Sequence, residues 1–350
     1  MTMDKLILVS GLAGFFFFAL LTTGLIRKYS LKNALIDIPN ERSSHSIPTT
    51  RGGGLSIALS ILLVIGLLFF AGWIAMEFAL ALGIGGLIVV IIGWIDDHRH
   101  IPALWRAISY FIAAGWAIIC LGGLERIQLG SQVLSLGHMG TFLAIFWVVW
   151  LTNLYNFMDG TDSMAAIQAI CVGLLAGILF WLEGQYGVAI VCFVIAASSC
   201  GFLFWNWSPA KIFMGDVGSC TLGFCFGVLA VIGEIEDTVP LVVWFILLAV
   251  FIGDATLTLL MRIMKGEKWY QAHKSHAYQR WVQMGASHKR LALGVLLINV
   301  IILWPMATMA FVWGEYSYHI AAASILLISV LWGAIQVHYY RNHSSCSQIK

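Results

Sequence analysis

About eleven long apolar runs dominate this sequence, and their length constrains its fold more than any other feature. A helix needs about 20 mostly apolar residues to cross the hydrocarbon core of a bilayer. The runs cover residues 6–25, 55–73, 78–95, 104–122, 140–157, 164–182, 187–205, 218–233, 239–261, 291–313 and 318–339. Only 10% of the residues are charged, whereas soluble domains have about a quarter. We therefore expect an all-α, polytopic integral membrane protein that forms a single domain over residues 1–350.

The first apolar run and the cysteines each allow another interpretation. The run at residues 6–25 is long for a signal peptide and has no clear cleavage site, so we expect it to be the first span. The seven cysteines lie mostly inside apolar runs without metal-ligand pairing, which predicts small buried side chains and neither disulfides nor zinc. The net charge of +2 gives no indication of a nucleic-acid partner.

The lysines and arginines predict the orientation, because these residues are enriched in cytoplasmic loops. With eleven spans and the amino terminus outside, only Lys5 and Arg126 of the 19 lysines and arginines fall in outer positions. A wrong number of spans would have scattered the lysines and arginines over both sides of the membrane. We therefore expect the amino terminus outside and the carboxyl terminus inside the cell.

Acidic side chains are ordered only in the expected inner loops. The outer acids share no pattern and are expected to be solvated; they are Glu77, Glu125, Glu183, Glu234, Glu236, Asp237 and Glu315. On the inner side, Asp96 and Asp97 end a very apolar helix, where adjacent carboxylates repel one another and need a cation, an arginine or a proton. The alternative is an ordinary helix end that contacts Arg99 or Arg106. The Asp96–Asp97 pair alone therefore does not show whether these acids have a functional role.

Four oxygen-bearing side chains cluster after the fifth apolar run. Asn153, Asn156 and Asp159 are three residues apart and share one helix face, and Asp162 follows a turn. Such a cluster can bind Mg²⁺ or hydrogen-bond a polar substrate. Capping of the next helix by Asp162 or Ser163 is the alternative, but it would account for one residue only.

Asp216 stands between two glycines immediately before the eighth run, in the segment Phe213-Met-Gly-Asp-Val-Gly-Ser. Gly215 and Gly218 allow backbone to approach a ligand closely, and a helix N-terminus favours anions. A carboxylate beside a phosphate site is expected to hold the metal ion that bridges to the phosphate. Helix capping by Asp216 is again the alternative.

The longest expected inner loop, residues 262–290, contains His273-Lys-Ser-His-Ala-Tyr-Gln-Arg. Its basic residues would bind a diphosphate or anionic headgroups, or would simply lie against lipid. Contact with lipid does not explain His273 and His276, three residues apart, or Tyr278, which we expect to be exposed. A zinc site is disfavoured, because no further soft ligand is near. Asp254 is the one acid inside a span, and a functional role or a structural tie to another helix are equally open.

These segments, in this order, resemble the polyprenyl-phosphate N-acetylhexosamine-1-phosphate transferase superfamily. The matches are Asp37-Ile-Pro-Asn-Glu-Arg-Ser-Ser-His, Pro48, Arg51-Gly-Gly-Gly, Asp96-Asp97, Asn153, Asn156, Asp159-Gly, Asp162, Phe213-Met-Gly-Asp-Val-Gly-Ser, Asp254 and His273-Lys-Ser-His. The last loop, which reads His-x-x-His-Ala-Tyr-Gln, is similar to the branch that initiates bacterial O-antigen synthesis. The peptidoglycan branch has consecutive histidines at this point, which the sequence lacks. Thr161 and Ser163 depart from the residues of many members, which puts the shape of that loop in doubt but removes no acid.

The resemblance implies a reaction of a UDP-sugar with undecaprenyl phosphate to give undecaprenyl-diphospho-sugar and UMP, with Mg²⁺ or with Mn²⁺ in its place. It also implies an active site on the cytoplasmic face of the bacterial inner membrane; a homodimer is left open. By resemblance, Asp216 is the expected metal ligand, and Asp96, assisted by Asp97, positions or deprotonates the acceptor phosphate. The expected catalytic residues are Asp96, Asp97, Asp159 and Asp162, and the expected substrate-binding residues are Arg51, Asn153, Asn156, His273, Lys274 and His276.

A secondary transporter is the alternative from another class. It would have broken helices and ionisable groups near the bilayer midplane, whereas nearly all the ordered acids lie at the expected inner rim. Among enzymes, the donor sugar stays open between UDP-GlcNAc, UDP-GalNAc and 6-deoxy sugars such as UDP-FucNAc or UDP-QuiNAc. The branch resemblance favours a 6-deoxy-N-acetyl sugar.

Overall fold

The computed structural model describes residues 3–39, 47–130, 132–268 and 273–347, and its described part is dominated by helices. The helices are α1 (Met3–Lys32), α2 (Leu55–Phe70), α3 (Met76–His98), α4 (Ala103–Cys120), α5 (His138–Met158), α6 (Met164–Leu182), α7 (Tyr186–Asn206), α8 (Asp216–Ile235), α9 (Leu241–Leu247), α10 (Ala249–Met264), α11 (Ala277–Gln283), α12 (His288–Leu297), α13 (Trp304–Val312) and α14 (Ser317–Ser347). A π-helical turn (Ile298–Leu303) joins α12 to α13, and a 3-10 turn (Gly314–Tyr316) precedes α14.

Within the described residues, nine helical segments are long and apolar enough to cross a membrane. A tenth is counted when α9 and α10, which are bent by 80° at their junction, are taken as one span. Helix α2 is apolar but has only 16 residues, which is short for a full span. Each predicted run therefore corresponds to a helix or a bent helix pair. The prediction of an all-α, polytopic membrane protein is confirmed.

Helix α8 lies at the centre of the bundle, because every residue from Asp216 to Glu234 is buried. Its neighbours approach it closely at glycines. A Cβ atom at Gly93 of α3 would lie 2.6 Å from the Cα of Val217, and one at Gly54 would lie 2.4 Å from the Cα of Gly218. Only glycine allows backbones to pack this closely, so these positions determine how α8 sits against α2 and α3.

A short strand pair lies at the N-terminal end of α8. Strand β1 (Ile36–Asp37) pairs antiparallel with β2 (Thr49–Thr50), and the carbonyl of Thr50 accepts a hydrogen bond from the Phe213 N–H over 2.8 Å. The segment before α8 is thereby tied to the segment before α2. Residues 40–46 of the motif that begins at Asp37 lie outside the described residues.

A hairpin of β3 (Arg126–Leu129) and β4 (Gln132–Ser135) lies at the other end of α8. Glu234 is 3% exposed there, and its carboxylate accepts hydrogen bonds from the Gln128 N–H and, over 2.6 Å, from the Leu241 N–H. The prediction that the outer acids are solvated is therefore wrong for Glu234. Its charge is buried because two backbone N–H groups satisfy it.

The variant Gly93→Ala tests the close packing of α3 on α8. The added Cβ would meet the backbone of Val217, so we expect the free energy of unfolding to fall by about 1–3 kcal/mol, as overpacking does. Thermal unfolding of the detergent-purified protein measures this. Gly115→Ala in α4 is the matched control, because nothing lies within 4 Å of its Cβ position and alanine favours a helix. Equal unfolding temperatures for the two variants would contradict the packing argument.

Candidate active site

The end of α3 and the starts of α4 and α8 bring two carboxylates and a guanidinium together. Arg106 Nη1 lies 3.1 Å from Asp96 Oδ2 and 2.7 Å from Asp216 Oδ2. The Oδ2 atoms of Asp96 and Asp216 therefore converge on one nitrogen of the guanidinium. Both are largely buried, with side chains 5% and 11% exposed. Two buried carboxylates this close need a positive charge beside them, and Arg106 provides it.

Asp97 does not point into this group but caps helix α8 from the neighbouring helix. Its Oδ1 accepts a hydrogen bond from the Asp216 N–H over 3.0 Å, and its Oδ2 accepts one from the Val217 N–H over 3.3 Å. In the hydrogen bonds of the described residues, the carboxylate of Asp216 accepts from Arg106 and Asn156 and not from the N–H groups of its own helix. The alternative that Asp216 serves as a helix cap is therefore wrong, because Asp97 has that role.

Gly215 makes room for this arrangement. It has a φ of +77°, and a Cβ there would lie 2.4 Å from Asp97 Oδ2. A side chain would be strained and would collide with the capping carboxylate. The glycine before Asp216 is thus explained by the approach of Asp97, whereas the sequence suggested the approach of a ligand.

Asn156 and Asp159 approach Asp216 from the end of α5. Asn156 Nδ2 donates hydrogen bonds to Asp216 Oδ1 and to Ser219 Oγ, each over 3.0 Å. Asp159 is only partly exposed. Burial raises its pKa well above the usual range, and the nearby carboxylates of Asp216 and Asp97 raise it further. Asn156 thus adds an amide to the Asp96–Asp216 pair, and Asp159 is near enough for the charges of Asp216 and Asp97 to act on it.

Two other predicted residues differ in how closely they join the cluster. Arg51 Nε lies 3.4 Å from Asp97 Oδ1, so this cation stands beside the group. Asn153 instead donates a hydrogen bond to the Val149 carbonyl of its own helix over 2.9 Å. The sequence predicts that Asn153 and Asn156 share one helix face, but Asn153 lies one turn deeper in α5. In the hydrogen bonds of the described residues, Asn153 contacts no carboxylate of the cluster.

Asp162 ties three segments together rather than contacting Asp96 or Asp216. Its Oδ2 lies 3.2 Å from His288 Nδ1 and accepts a hydrogen bond from the Ala210 N–H over 3.2 Å. Burial alone would raise the pKa of Asp162. The hydrogen bond and charge of His288, with hydrogen bonds from Ser208 and Ala210, outweigh burial and hold that pKa below its usual range. Ser163 makes no capping bond to α6, and its hydroxyl donates to the Asn206 carbonyl over 3.1 Å.

Asp254 has a structural partner that the sequence left open. Its Oδ1 accepts a hydrogen bond from the Ala277 N–H over 2.8 Å, and its Oδ2 accepts one from the Tyr278 N–H over 3.0 Å. Thr258 also donates to Oδ1, and His276 Nδ1 lies 3.5 Å from it. Of the two interpretations of Asp254, the structural tie to another helix is observed, because this carboxylate accepts hydrogen bonds from the first N–H groups of α11.

The histidine loop is linked to the carboxylate cluster through Tyr278. The Tyr278 hydroxyl donates a hydrogen bond to the Phe157 carbonyl over 3.0 Å, two residues before Asp159. Tyr278 is only 4% exposed, so the prediction that it is exposed is wrong. Burial, and then the charges of Asp254 and Asp159, raise the pKa of its hydroxyl well above the usual range.

The rings of His273 and His276 stack with their centroids 4.8 Å apart. His273 Nδ1 is 2.8 Å from Ser275 Oγ, and Lys274 is half-buried between the two histidines in sequence. Among the described residues, no group of three or more His, Cys, Asp or Glu is placed to hold a metal ion. That finding gives no support to a zinc site at the two histidines.

Sequence reasoning missed two basic side chains that the fold brings to this end. It considered Arg106 only as an ordinary partner of the Asp96–Asp97 helix end, and it did not consider His288 at all. Arg106 is ten residues from Asp96 but 110 from Asp216, and His288 is 126 residues from Asp162. The sequence indicated that buried carboxylates need positively charged partners, but it did not indicate which basic side chain would contact which carboxylate.

The Asp96–Asp216 pair has the chemistry that a divalent cation requires. Mg²⁺ prefers hard oxygen ligands and is usually held by one or two carboxylates together with substrate phosphates and water. Asp96 and Asp216 converge closely, and their Oδ2 atoms share one cationic nitrogen, Arg106 Nη1. The residues therefore fit such an ion, and Asp216 and Asp96 would be its protein ligands.

The fold and the site define a polytopic membrane protein whose helix bundle carries a buried acidic and amide site at one end. Residues 79–234 match the family model described as glycosyl transferase family 4. A Bacillus subtilis protein, named as a probable undecaprenyl-phosphate N-acetylglucosaminyl 1-phosphate transferase, is 31% identical over 296 residues, which cover 81% of this chain and 79% of the relative.

Two further relatives are similar over most of their length. The decaprenyl-phosphate N-acetylglucosaminephosphotransferase of Mycobacterium leprae is 31% identical over 83% of this chain and 80% of its own. The undecaprenyl-phosphate alpha-N-acetylglucosaminyl 1-phosphate transferase of Escherichia coli K12 is 27% identical over 94% and 90%. The chain belongs to the polyprenyl-phosphate N-acetylhexosamine-1-phosphate transferase family, and this membership favours an enzyme over the transporter alternative.

The variant Asp254→Asn tests the cap on α11. An amide side chain offers one acceptor in place of two, so we expect amide hydrogen exchange in residues 277–283 to accelerate roughly tenfold, because one N–H is left unpaired. Hydrogen-exchange mass spectrometry of the α11 peptide measures this. Asp237→Asn, which alters an exposed carboxylate paired with Arg126, is the control and should leave that peptide unchanged. Unaltered exchange in Asp254→Asn would argue against the cap.

The pair of Asp162 and His288 predicts a pH dependence. Because the pKa of Asp162 is lowered by folding, its stabilisation is complete above the unfolded pKa of about 3.9 and is lost as the pH falls through the lower folded value. We expect Asp162→Asn to lower the unfolding temperature near pH 6, and this difference from wild type to shrink towards about pH 3. Thermal unfolding across that range is the measurement. A difference that grows on acidification would contradict the assignment.

Proposed function

We propose that this protein transfers an N-acetylhexosamine 1-phosphate from a UDP-sugar to undecaprenyl phosphate and releases UMP. The observation that carries the proposal is the buried Asp96–Asp216 pair, bridged by Arg106, at one end of a membrane-spanning bundle. A site at the end of such a bundle can meet a lipid carrier from the bilayer and a nucleotide from water. The names of the relatives, which specify polyprenyl-phosphate sugar-phosphate transferases, support the same reaction.

In the proposed reaction, an oxygen of the acceptor phosphate attacks the phosphorus that bears the sugar. The bond from that phosphorus to the oxygen of UMP breaks, and UMP leaves with the electron pair. Both reactants are anions, so their approach is favoured by positive charge at the site. A bound Mg²⁺ or Mn²⁺, held by Asp216 with Asp96, would neutralise the developing charge on the phosphate oxygens.

The protein's own residues have separate parts in this proposal. Asp96 positions the acceptor phosphate; a strong base is unnecessary, because the second pKa of a phosphate monoester is about 6. Asn156 holds Asp216 Oδ1 and so orients its other oxygen. Asp97 acts by holding the start of α8, rather than by assisting Asp96 directly. Asp159 lines the same end.

The cations and histidines around the cluster are proposed to bind the phosphates and the sugar. Arg51 stands beside Asp97 with its side chain 35% exposed, so its guanidinium can face an incoming anion. His273 and His276 belong to a loop that Asp254 and Tyr278 hold beside residue 159. We propose that this loop, with Lys274, contacts the diphosphate or the sugar.

We propose that the site faces the cytoplasm of a bacterial inner membrane. The distribution of lysine and arginine supports this side, because the topology predicted from the sequence places all of them except Lys5 and Arg126 on the inner side, together with the ordered acids. The donor is proposed to be an N-acetylated sugar. N-acetylglucosamine appears in the names of the relatives, and the His-x-x-His-Ala-Tyr-Gln loop favours a 6-deoxy sugar of an O-antigen pathway.

Purified protein, undecaprenyl phosphate and Mg²⁺ are incubated with a panel of UDP-sugars, and UMP release is followed. We expect release with at least one N-acetylated donor, and the donor with the highest kcat/KM decides between UDP-GlcNAc, UDP-GalNAc and the 6-deoxy sugars. Asp216→Asn should lower turnover at least ~1,000-fold, because the amide removes the charge that holds the metal. Absence of UMP from every donor would rule out the proposed reaction.

The control for Asp216→Asn is Asp237→Asn, a carboxylate at the opposite end that is paired with Arg126. Both variants should retain a cooperative unfolding transition. Full turnover in Asp216→Asn would remove Asp216 as the metal ligand while leaving the reaction itself in place.

A further inference from the structure

Arg106 occupies an unusual position at the carboxylate pair. A single nitrogen, Nη1, donates to Asp216 Oδ2 over 2.7 Å and to Asp96 Oδ2 over 3.1 Å. These charge-assisted hydrogen bonds are of ordinary length, so the guanidinium is a full counter-ion for both acids. The same two oxygens are the ones through which the pair would bind a divalent cation.

A metal ion and Arg106 cannot both hold these oxygens without cost. Mg²⁺ binds oxygen at about 2.0–2.1 Å, and a guanidinium nitrogen on the same two oxygens would bring two positive centres into close contact in a largely buried site. The two cations are therefore alternatives for the Oδ2 atoms. Whichever binds more weakly is displaced.

The carboxylates keep their other supports when Arg106 leaves. Asp216 Oδ1 accepts from Asn156 Nδ2, and Asp96 Oδ1 accepts from the Ile101 N–H over 2.6 Å. The backbone of Asp216 is held by Asp97. Exchange at Oδ2 thus needs no movement of α3 or α8. Arg106 lies in the first turn of α4 and its side chain is 23% exposed, so it has a path away from the pair.

We propose that Arg106 competes with the divalent cation for the Asp96–Asp216 pair and, once displaced, binds a phosphate oxygen of the substrates. This inference rests on the proposed function for its second half only. The planar guanidinium presents paired N–H groups that match a phosphate, and its long side chain keeps it within reach of ions bound at the pair. Before metal binds, Arg106 keeps the two carboxylates from repelling each other. Afterwards it supplies a positive charge to the reacting anions.

Mn²⁺ binding without any substrate tests the competition. Free Mn²⁺ is measured by electron paramagnetic resonance during titration of the full-length protein in detergent. Arg106→Gln removes the competing charge, so Mn²⁺ should bind roughly tenfold more tightly than to wild type, the worth of one charge-assisted hydrogen bond. Asp216→Asn should lose this binding. Arg126→Gln, which removes an arginine paired with Asp237 at the opposite end, should bind Mn²⁺ as wild type does.

Equal or weaker Mn²⁺ binding by folded Arg106→Gln would overturn the competition. Thermal unfolding provides the check on folding. Without divalent ions, Arg106→Gln should unfold at a lower temperature than wild type, and Mg²⁺ should raise the unfolding temperature of Arg106→Gln by more than that of wild type. Arg106→Lys keeps a charge but lacks the planar fork, so it should bind Mn²⁺ with an intermediate affinity. An affinity for Arg106→Lys outside the range between wild type and Arg106→Gln would also count against the proposal.

The second half of the proposal has its own readout. In the UMP assay at saturating Mg²⁺, Arg106→Gln should raise the KM of the UDP-sugar or of the lipid phosphate about tenfold or more. An unchanged KM for both substrates would overturn the phosphate-binding role. If wild type releases no UMP from any donor, the proposed function fails, whereas the Mn²⁺ titration still decides whether Arg106 and the metal compete.

Discussion

The hydrogen bonds from the start of α8 to Asp97 are the interaction on which the rest of the site depends. A carboxylate that is 1% exposed is costly to bury unless strong donors satisfy it. The N–H groups of Asp216 and Val217 are such donors, and the positive end of the helix dipole adds to them. Because α8 is buried along its length, holding its first turn against α3 sets the position of Asp216 relative to Asp96.

The same device recurs at α11. Asp254 accepts the N–H groups of Ala277 and Tyr278, as Asp97 accepts those of the first residues of α8. In both cases a carboxylate on one helix accepts hydrogen bonds from the unpaired N–H groups at the start of another helix. The buried carboxylate gains donors, and the buried N–H groups gain an acceptor. The consequence is that acids which look alike in the sequence divide into two groups. Asp97 and Asp254 position helices, while Asp96 and Asp216 are left to face a cation.

Much of the fold could be predicted because the bilayer leaves few choices. Runs of about 20 apolar residues must be helices, and every predicted run corresponds to a helix or a bent pair. The short α2 and the bend between α9 and α10 were not predicted, because hydropathy indicates the length of an apolar run and not the ends or the direction of the helix within it. The site was predictable as a set of ordered acids at one end. The pairing of Asp162 with His288, and the burial of Tyr278 and Glu234, depend on contacts between distant segments and carry no local signal.

The sequence by itself determined that the chain forms a helical membrane protein and which acids gather at one end of it, because hydrophobic length and charge placement are local properties. Only the tertiary structure decided what each acid does. Asp96 and Asp97 are neighbours in sequence, yet one meets Arg106 and the other caps α8, since adjacent residues on a helix point in directions about 100° apart. Which of them faces the cation follows from the close contacts of Gly54 and Gly93 with α8, and such contacts exist only once the helices have packed.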